Sequence, residues 1–173
     1  MATHMVKVFP FTVNGIIQMH KYLNCMSQNM PKVRKRFVEE SLLWIKEKAN
    51  ENIANTTGNS EWYVLTHELE NSWVTNVTNG TLVNICRYAG FVEYGTGIVG
   101  AGTHPDSGTY QYDANGHGEK GWFFFGDDGE LHWTQGMEAH SFLYNAIIDY
   151  YYGGESIRIF HDVMNTLIGG GTS

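Results

Sequence analysis

Cysteine is nearly missing from this chain: Cys25 and Cys86 are the only two in 173 residues. They stand far apart and outside any metal-ligand spacing. That excludes a disulfide framework and a zinc module, and the pair reads as two buried thiols in a reducing cytoplasm. Proline is scarce too, with three residues in all. No run is long and apolar enough for a signal peptide or a membrane span, so the glycosylation-like triplets at Asn55, Asn76 and Asn79 carry no weight. Basic residues are few, 11 against 18 acidic ones, for a net charge of −7. This balance argues against a specific nucleic-acid binder, which needs concentrated Lys and Arg to neutralise phosphates. The chain is rich in apolar residues (42%) and aromatics (14%). That share supports a sizeable core and excludes wholesale disorder, and the length suits one domain over 1–173 with a frayed end at 169–173.

Read along the chain, residues 5–9 alternate and predict a short strand before Pro10. Asn14 is placed to cap a helix over about 15–28, with Ile16, Met19, Tyr22 or Leu23, and Met26 on one side. Pro31 suits the first turn of a second, longer helix ending near Asn55. Its inner face would hold Met30, Val33, Phe37, Ser41, Trp44, Ile45, Ala49 and Ile53. Short strands are expected at 62–65, 69–75 and 81–86, the last two joined by a two-residue Asn79-Gly80 turn. Tyr88, Phe91 and Val92 have helical spacing, which reads as a turn or two of helix with Gly95 as the cap, with an extended strand as the alternative. A long glycine-rich loop then covers 95–121, and its removal over 103–118 is expected to spare the fold. A hairpin follows around Asp127-Asp128-Gly129. A helix from about Ser141 to Tyr152 is broken at Gly153-Gly154 and resumes over 156–168.

Several stretches invite a chemical reading. Gly95-Thr96-Gly97-Ile98-Val99-Gly100 matches the dinucleotide pattern G-x-G-x-x-G in its letters. No helix-forming sequence follows it, so the glycines read as positive-φ residues in a bending loop. His104, His117, His132 and His140, with Asp106, Asp113, Asp127 and Asp128, could be combined into a metal site, but none has two-ligand helical spacing. No nucleophile sits in a catalytic context, and Glu93 reads as an ion-pair or surface residue rather than a general acid. No cofactor is expected. Trp122-Phe123-Phe124-Phe125 with Trp133 could stack a sugar; the plainer reading is a hairpin with aromatics left over for a subunit contact. Lys32, Arg34, Lys35 and Arg36 would crowd the first turn of the second helix against its dipole. Six of the 11 basic residues lie between Lys32 and Lys48, whereas from Glu93 onward the acids outnumber only Lys120 and Arg158.

Two signatures stand out: Tyr88-Ala89-x-x-Val92-Glu93-Tyr94-Gly95-Thr96, continuing to Gly97, and Ala139-x-x-Phe142-Leu143-x-x-Ala146. In this order, after the N-terminal helices and hairpins, they resemble the tail-completion (head–tail joining, minor tail component) family of long-tailed bacteriophages. The resemblance spans roughly residues 15–152. It departs at Ser141, where the family often has Pro, and at the Gly153-Gly154 break. It implies an α+β fold, with long N-terminal helices packed on a small antiparallel sheet and a C-terminal helix. It also implies a non-enzymatic virion part made in the bacterial host cytoplasm. Its partners would be its own copies in a ring, the tail tube or its terminator, and the head-side connector, with no membrane. Tyr88, Phe91, Glu93, Tyr94, Gly95, Thr96, Gly97, the loop tyrosines Tyr110 and Tyr112, and the Lys32–Arg36 cluster are the motif and interface candidates. Phe142, Leu143 and Ala146 are the expected core anchors. The alternative function is a carbohydrate- or cell-wall-binding module using Trp122 and Trp133.

Overall fold

A computed structural model describes residues 8–56, 67–107, 120–126 and 128–169. The expected strands at 5–9 and 62–65 lie mostly or wholly outside these residues, as do Tyr110, Tyr112, Asp113, His117 and Asp127.

The two N-terminal helices are one. Helix α1 runs Val13–Thr56, 44 residues, straight through Pro31, and is roughly 66 Å long at 1.5 Å per residue. Thr12, not Asn14, caps it: its hydroxyl accepts the Gly15 N–H at 3.1 Å. Proline inside a helix removes one hydrogen bond and crowds the preceding turn. The helix continues because its apolar seam (Met26, Met30, Val33, Phe37) keeps its spacing across Pro31. Stopping there would forfeit the packing of Tyr22 and Met26 on the core. The continuity also moves Lys32–Arg36 to mid-helix, so no conflict with the helix dipole arises. Lys35 and Arg36 pair with Glu39 and Glu40 one turn on.

Beyond α1 come a short helix α2 (Glu68–Asn71), strands β1 (Trp73–Asn76) and β2 (Thr81–Asn84), and helices α3 (Ala89–Tyr94) and α4 (Gly97–Gly100). Strands β3 (Trp122–Phe125), β4 (Leu131–Thr134) and β5 (Gly136–Met137) precede α5 (Phe142–Tyr152) and α6 (Glu155–Met164), which ends in a π turn over Asn165–Gly169. The fold is α+β, but its layering differs from expectation. Among the described residues β1–β2 and β3–β4 form two separate two-stranded antiparallel ribbons. The core is mainly helix on helix, with α5 and α6 packed along α1. Leu69 sits in α2 rather than in a strand, and Asn76 pairs with Thr81, so the first hairpin turn has four residues, 77–80. Gly80 there takes φ 66°. The break between α5 and α6 falls at Gly153-Gly154 as read, with Gly154 at φ 85°.

Two clusters of buried side chains share α1. Near its C-terminal end, Ala49, Ile53, Leu69, Cys86, Ala89, Phe142 and Ala146 pack together, with Leu143 and Tyr88 half-buried against them. Toward its middle, Val33 meets Tyr150, Ile159, Val163 and Ile168. Ile45 touches both clusters. Where α1 must bury polar groups they are satisfied: the Tyr150 hydroxyl donates to Ser41 Oγ at 2.6 Å, which itself donates to the Phe37 carbonyl. Trp73 Nε1 donates to Asn50 Oδ1, and Asn52 Nδ2 to the Phe142 carbonyl.

Candidate functional site

The two signature stretches meet. Helix α3 ends where α5 begins, and each supplies what the other's terminus lacks. A helix leaves its last carbonyls and first N–H groups unpaired. Here the Val92 and Glu93 carbonyls accept the N–H groups of His140 and Ser141 at 2.9 and 3.1 Å. In return the Glu93 carboxylate accepts the Leu143 and Tyr144 N–H groups, both at 2.9 Å. Those are the second and third residues of α5, the positions an N-cap side chain normally serves. The expected cap, Ser141, makes no such bond and sits in the left-handed region at φ 49°. Glu93, from the other signature, has taken its role. The carboxylate's charge faces the positive end of the α5 dipole, which helps offset its burial.

A third donor completes the set. His104 Nε2 lies 3.3 Å from Glu93 Oε1, while its Nδ1 accepts the Asp106 N–H at 3.0 Å. That fixes the tautomer: the proton is on Nε2, pointing at Glu93. Tyr94 and Tyr144 cover the imidazole, with ring centroids 4.4 and 5.2 Å away. His104 is 3% exposed and Glu93 7%. Glu93 is therefore an internal cap rather than a surface group. Among the described residues its carboxylate is engaged by three of the chain's own donors. The clue in the sequence was spacing: Ala89, Val92 and Glu93 fall on one helical face, and Ala89 is core. A carboxylate on that face needs buried N–H partners.

The glycines of the first signature are there for close backbone approach. A Cβ on Gly95 (φ 78°) would lie 2.8 Å from Ala139 N and Met137 O; one on Gly97 (φ 61°) would lie 2.3 Å from Gln135 O. Thr96 and Gly97 form antiparallel bridges with Met137 and Gly136. Thr96 Oγ1 accepts the Met137 N–H, and Thr103 Oγ1 the Ala139 N–H. The space a phosphate would need beside these glycines is filled by the chain's own backbone. Gly97→Ala should therefore cost roughly 2 kcal/mol or more, since it adds both a positive-φ penalty and a clash; chemical denaturation measures it. The same contacts correct the loop expectation. With His104 and Thr103 built into the joint, removing 103–118 should disturb the fold.

The other candidates separate. Tyr88 is half-buried on the core, Phe91 is exposed, and Lys32, Arg34, Lys35 and Arg36 are exposed on α1. Arg34 and Lys35 flank an open depression of about 250 Å³ with Pro31, Val38, Val77 and Thr78, where α1 meets the first hairpin turn. Phe142 (2% exposed) and Ala146 (0%) are core anchors as read, and Leu143 packs beside them. His132 is engaged by the Asp128 carboxylate at 2.9 Å. Backbone N–H donation from Glu130, then His132, holds the Asp128 carboxyl below its usual range. Burial lowers the pKa of His140, partly offset by Glu138. Among the described residues no group of three His, Cys, Asp or Glu is gathered as a metal site would require. No helix among them is long and apolar enough to cross a membrane. Trp122 and Trp133 lie on opposite faces of the β3–β4 ribbon, as its register dictates, with Trp122 over Gly97. They do not form one stacking platform.

Comparison with protein-family models, with curated proteins and with solved structures finds no match to this chain.

Proposed function

We propose that the chain is a structural virion protein, a tail-completion or head–tail joining component at the neck of a long-tailed phage or prophage. It would be made in the host cytoplasm and act by ring assembly rather than by catalysis. The observation that supports this most is the joint itself. Both signatures that carry the resemblance are spent on tying α3, the glycine loop and α5 into one junction, and their buried carboxylate, Glu93, is taken up by the chain's own donors. What the surface offers is adhesion: exposed aromatics on a ribbon, and an uneven charge that lets a heterologous contact set unlike charges against each other and close a ring. The partners would be further copies of the chain, the tail tube or its terminator, and the head-side connector.

Gold-labelled antibody against the chain, applied to purified tailed particles from the producing host, should mark the neck and neither the head shell nor the tail tip. Label confined to the tail tip, or absence of the chain from particles, would overturn the reading. Reversing charge at Lys32, Arg34, Lys35 and Arg36 together should weaken joining most at low salt, where exposed charges act over the longest range. Undiminished yield of joined particles from that fourfold variant in a complementation assay would remove the electrostatic part of the proposal.

A further inference from the structure

The N-terminal part of α1 carries an apolar stripe that its own chain leaves bare. Ile16, Leu23 and Met30 recur every seven residues, which returns them to one side of a helix. They are 48%, 52% and 44% exposed. Phe11, Val13 and Ile17 beside them are exposed as well. Farther along, the same seam is covered: Val33 is buried and Phe37 packs edge-on against Phe160 of α6. This stretch thus forms a greasy arm whose Tyr22 and Met26 pack on the core while Ile16, Leu23 and Met30 stand bare.

A second bare surface lies on the β3–β4 ribbon. Phe123 pairs with Trp133 and Phe125 with Leu131. All four therefore stand on one face, and each is more than half exposed. A two-stranded ribbon is marginal alone, and among the described residues no third strand joins it. Exposed apolar clusters of this kind mark contact sites.

Charge matches the two surfaces and sets aside the alternatives. The first 38 residues contain no Asp or Glu, while His20, Lys21 and the Lys32–Arg36 cluster lie on or beside the arm. Arm against arm would set Lys21, Lys32 and Arg34 against their own copies, whereas Lys35 and Arg36 are already paired with Glu39 and Glu40. The ribbon is flanked by Asp128, Glu130 and Glu138 against Lys120. Helix α6 is a poorer acceptor, because Arg158 already pairs with Glu155 and Asp162.

Exposure makes the contact intermolecular. Ile16, Leu23 and Met30 on the arm and Phe123, Phe125, Leu131 and Trp133 on the ribbon all stay exposed in the folded chain, so the arm does not sit on its own ribbon.

We propose that the arm of one copy, residues 11–30, docks on the Phe123, Phe125, Leu131 and Trp133 face of a second copy, head to tail. This rests on the assembly role proposed above and names the surfaces that would carry it. The test uses the full chain in sedimentation velocity at low salt. Wild type should form species larger than a dimer. An arm variant (Ile16→Asp/Leu23→Asp) and a ribbon variant (Phe125→Lys/Leu131→Thr) should each self-associate roughly a hundredfold more weakly, as loss of an interface anchor does, with unchanged circular dichroism. Mixed, each supplies the surface the other lacks, so they should give a one-to-one dimer that grows no further. Wild-type-like association by either variant alone would overturn the surface pair while leaving the assembly role standing. A wild type that stays monomeric would overturn it too, whatever the neck labelling shows. Capture of wild type but not the arm variant by phosphatidylglycerol vesicles, without self-association, would assign the arm to a lipid surface instead.

Discussion

Glu93→Ala should lower the free energy of unfolding by about 3–5 kcal/mol, the range for removing one partner of a buried, hydrogen-bonded charge. The substitution strips acceptors from three donors at once: the Leu143 and Tyr144 N–H groups and His104 Nε2. Each donor left unpaired and out of water costs about 1–3 kcal/mol, and water entering the gap recovers part of that. Glu93→Gln keeps the size but turns an NH₂ group toward donors, and should lose about half as much on the same reasoning. Urea denaturation of the three proteins decides it. A loss below about 1 kcal/mol for alanine is the behaviour of a surface carboxylate and would contradict the role of Glu93 as a cap.

Phe142→Ala should cost a similar amount, about 3–5 kcal/mol, for a different reason: a cavity with no polar group able to fill it. Phe142 is 2% exposed and stands edge-on to Trp73, with ring centroids 6.2 Å apart. It joins α1, α5 and the residues before β1 in one cluster. Phe142→Leu, which preserves most of the volume, should cost less than about 1.5 kcal/mol. Equal losses for the two variants would mean that something other than packing holds this position. Either large loss would consume much of a typical domain's margin of about 5–15 kcal/mol, so both variants should be studied below room temperature or with mild denaturant.

What the residues disclosed in advance was local. The Gly153-Gly154 break, the hairpin around Asp128-Gly129, the helical turn at Ala89–Tyr94 and the core faces of α1 and α5 each depend on spacing within a few residues. What they hid depends on distance along the chain. Pro31 looked like a helix start because nothing nearby announces that Tyr22 and Met26 are needed by α6 and the π turn more than a hundred residues later. Ser141 looked like a cap because serine usually is one; here the backbone path brings Glu93 there first and leaves Ser141 left-handed. Glu93 looked peripheral because a carboxylate's burial is legible only once its donors are known, and those lie 11, 50 and 51 residues away. The Lys32–Arg36 cluster posed a dipole problem only as long as the helix was cut at Pro31.

The most direct measurement is electron microscopy of lysates from a producing host in which the gene for this chain has been deleted. DNA-filled heads and finished tails should lie separately in the grids, with joined particles and infectivity restored when the chain is supplied in trans. Joined, infectious particles at normal yield in the deletion lysate would contradict the joining role.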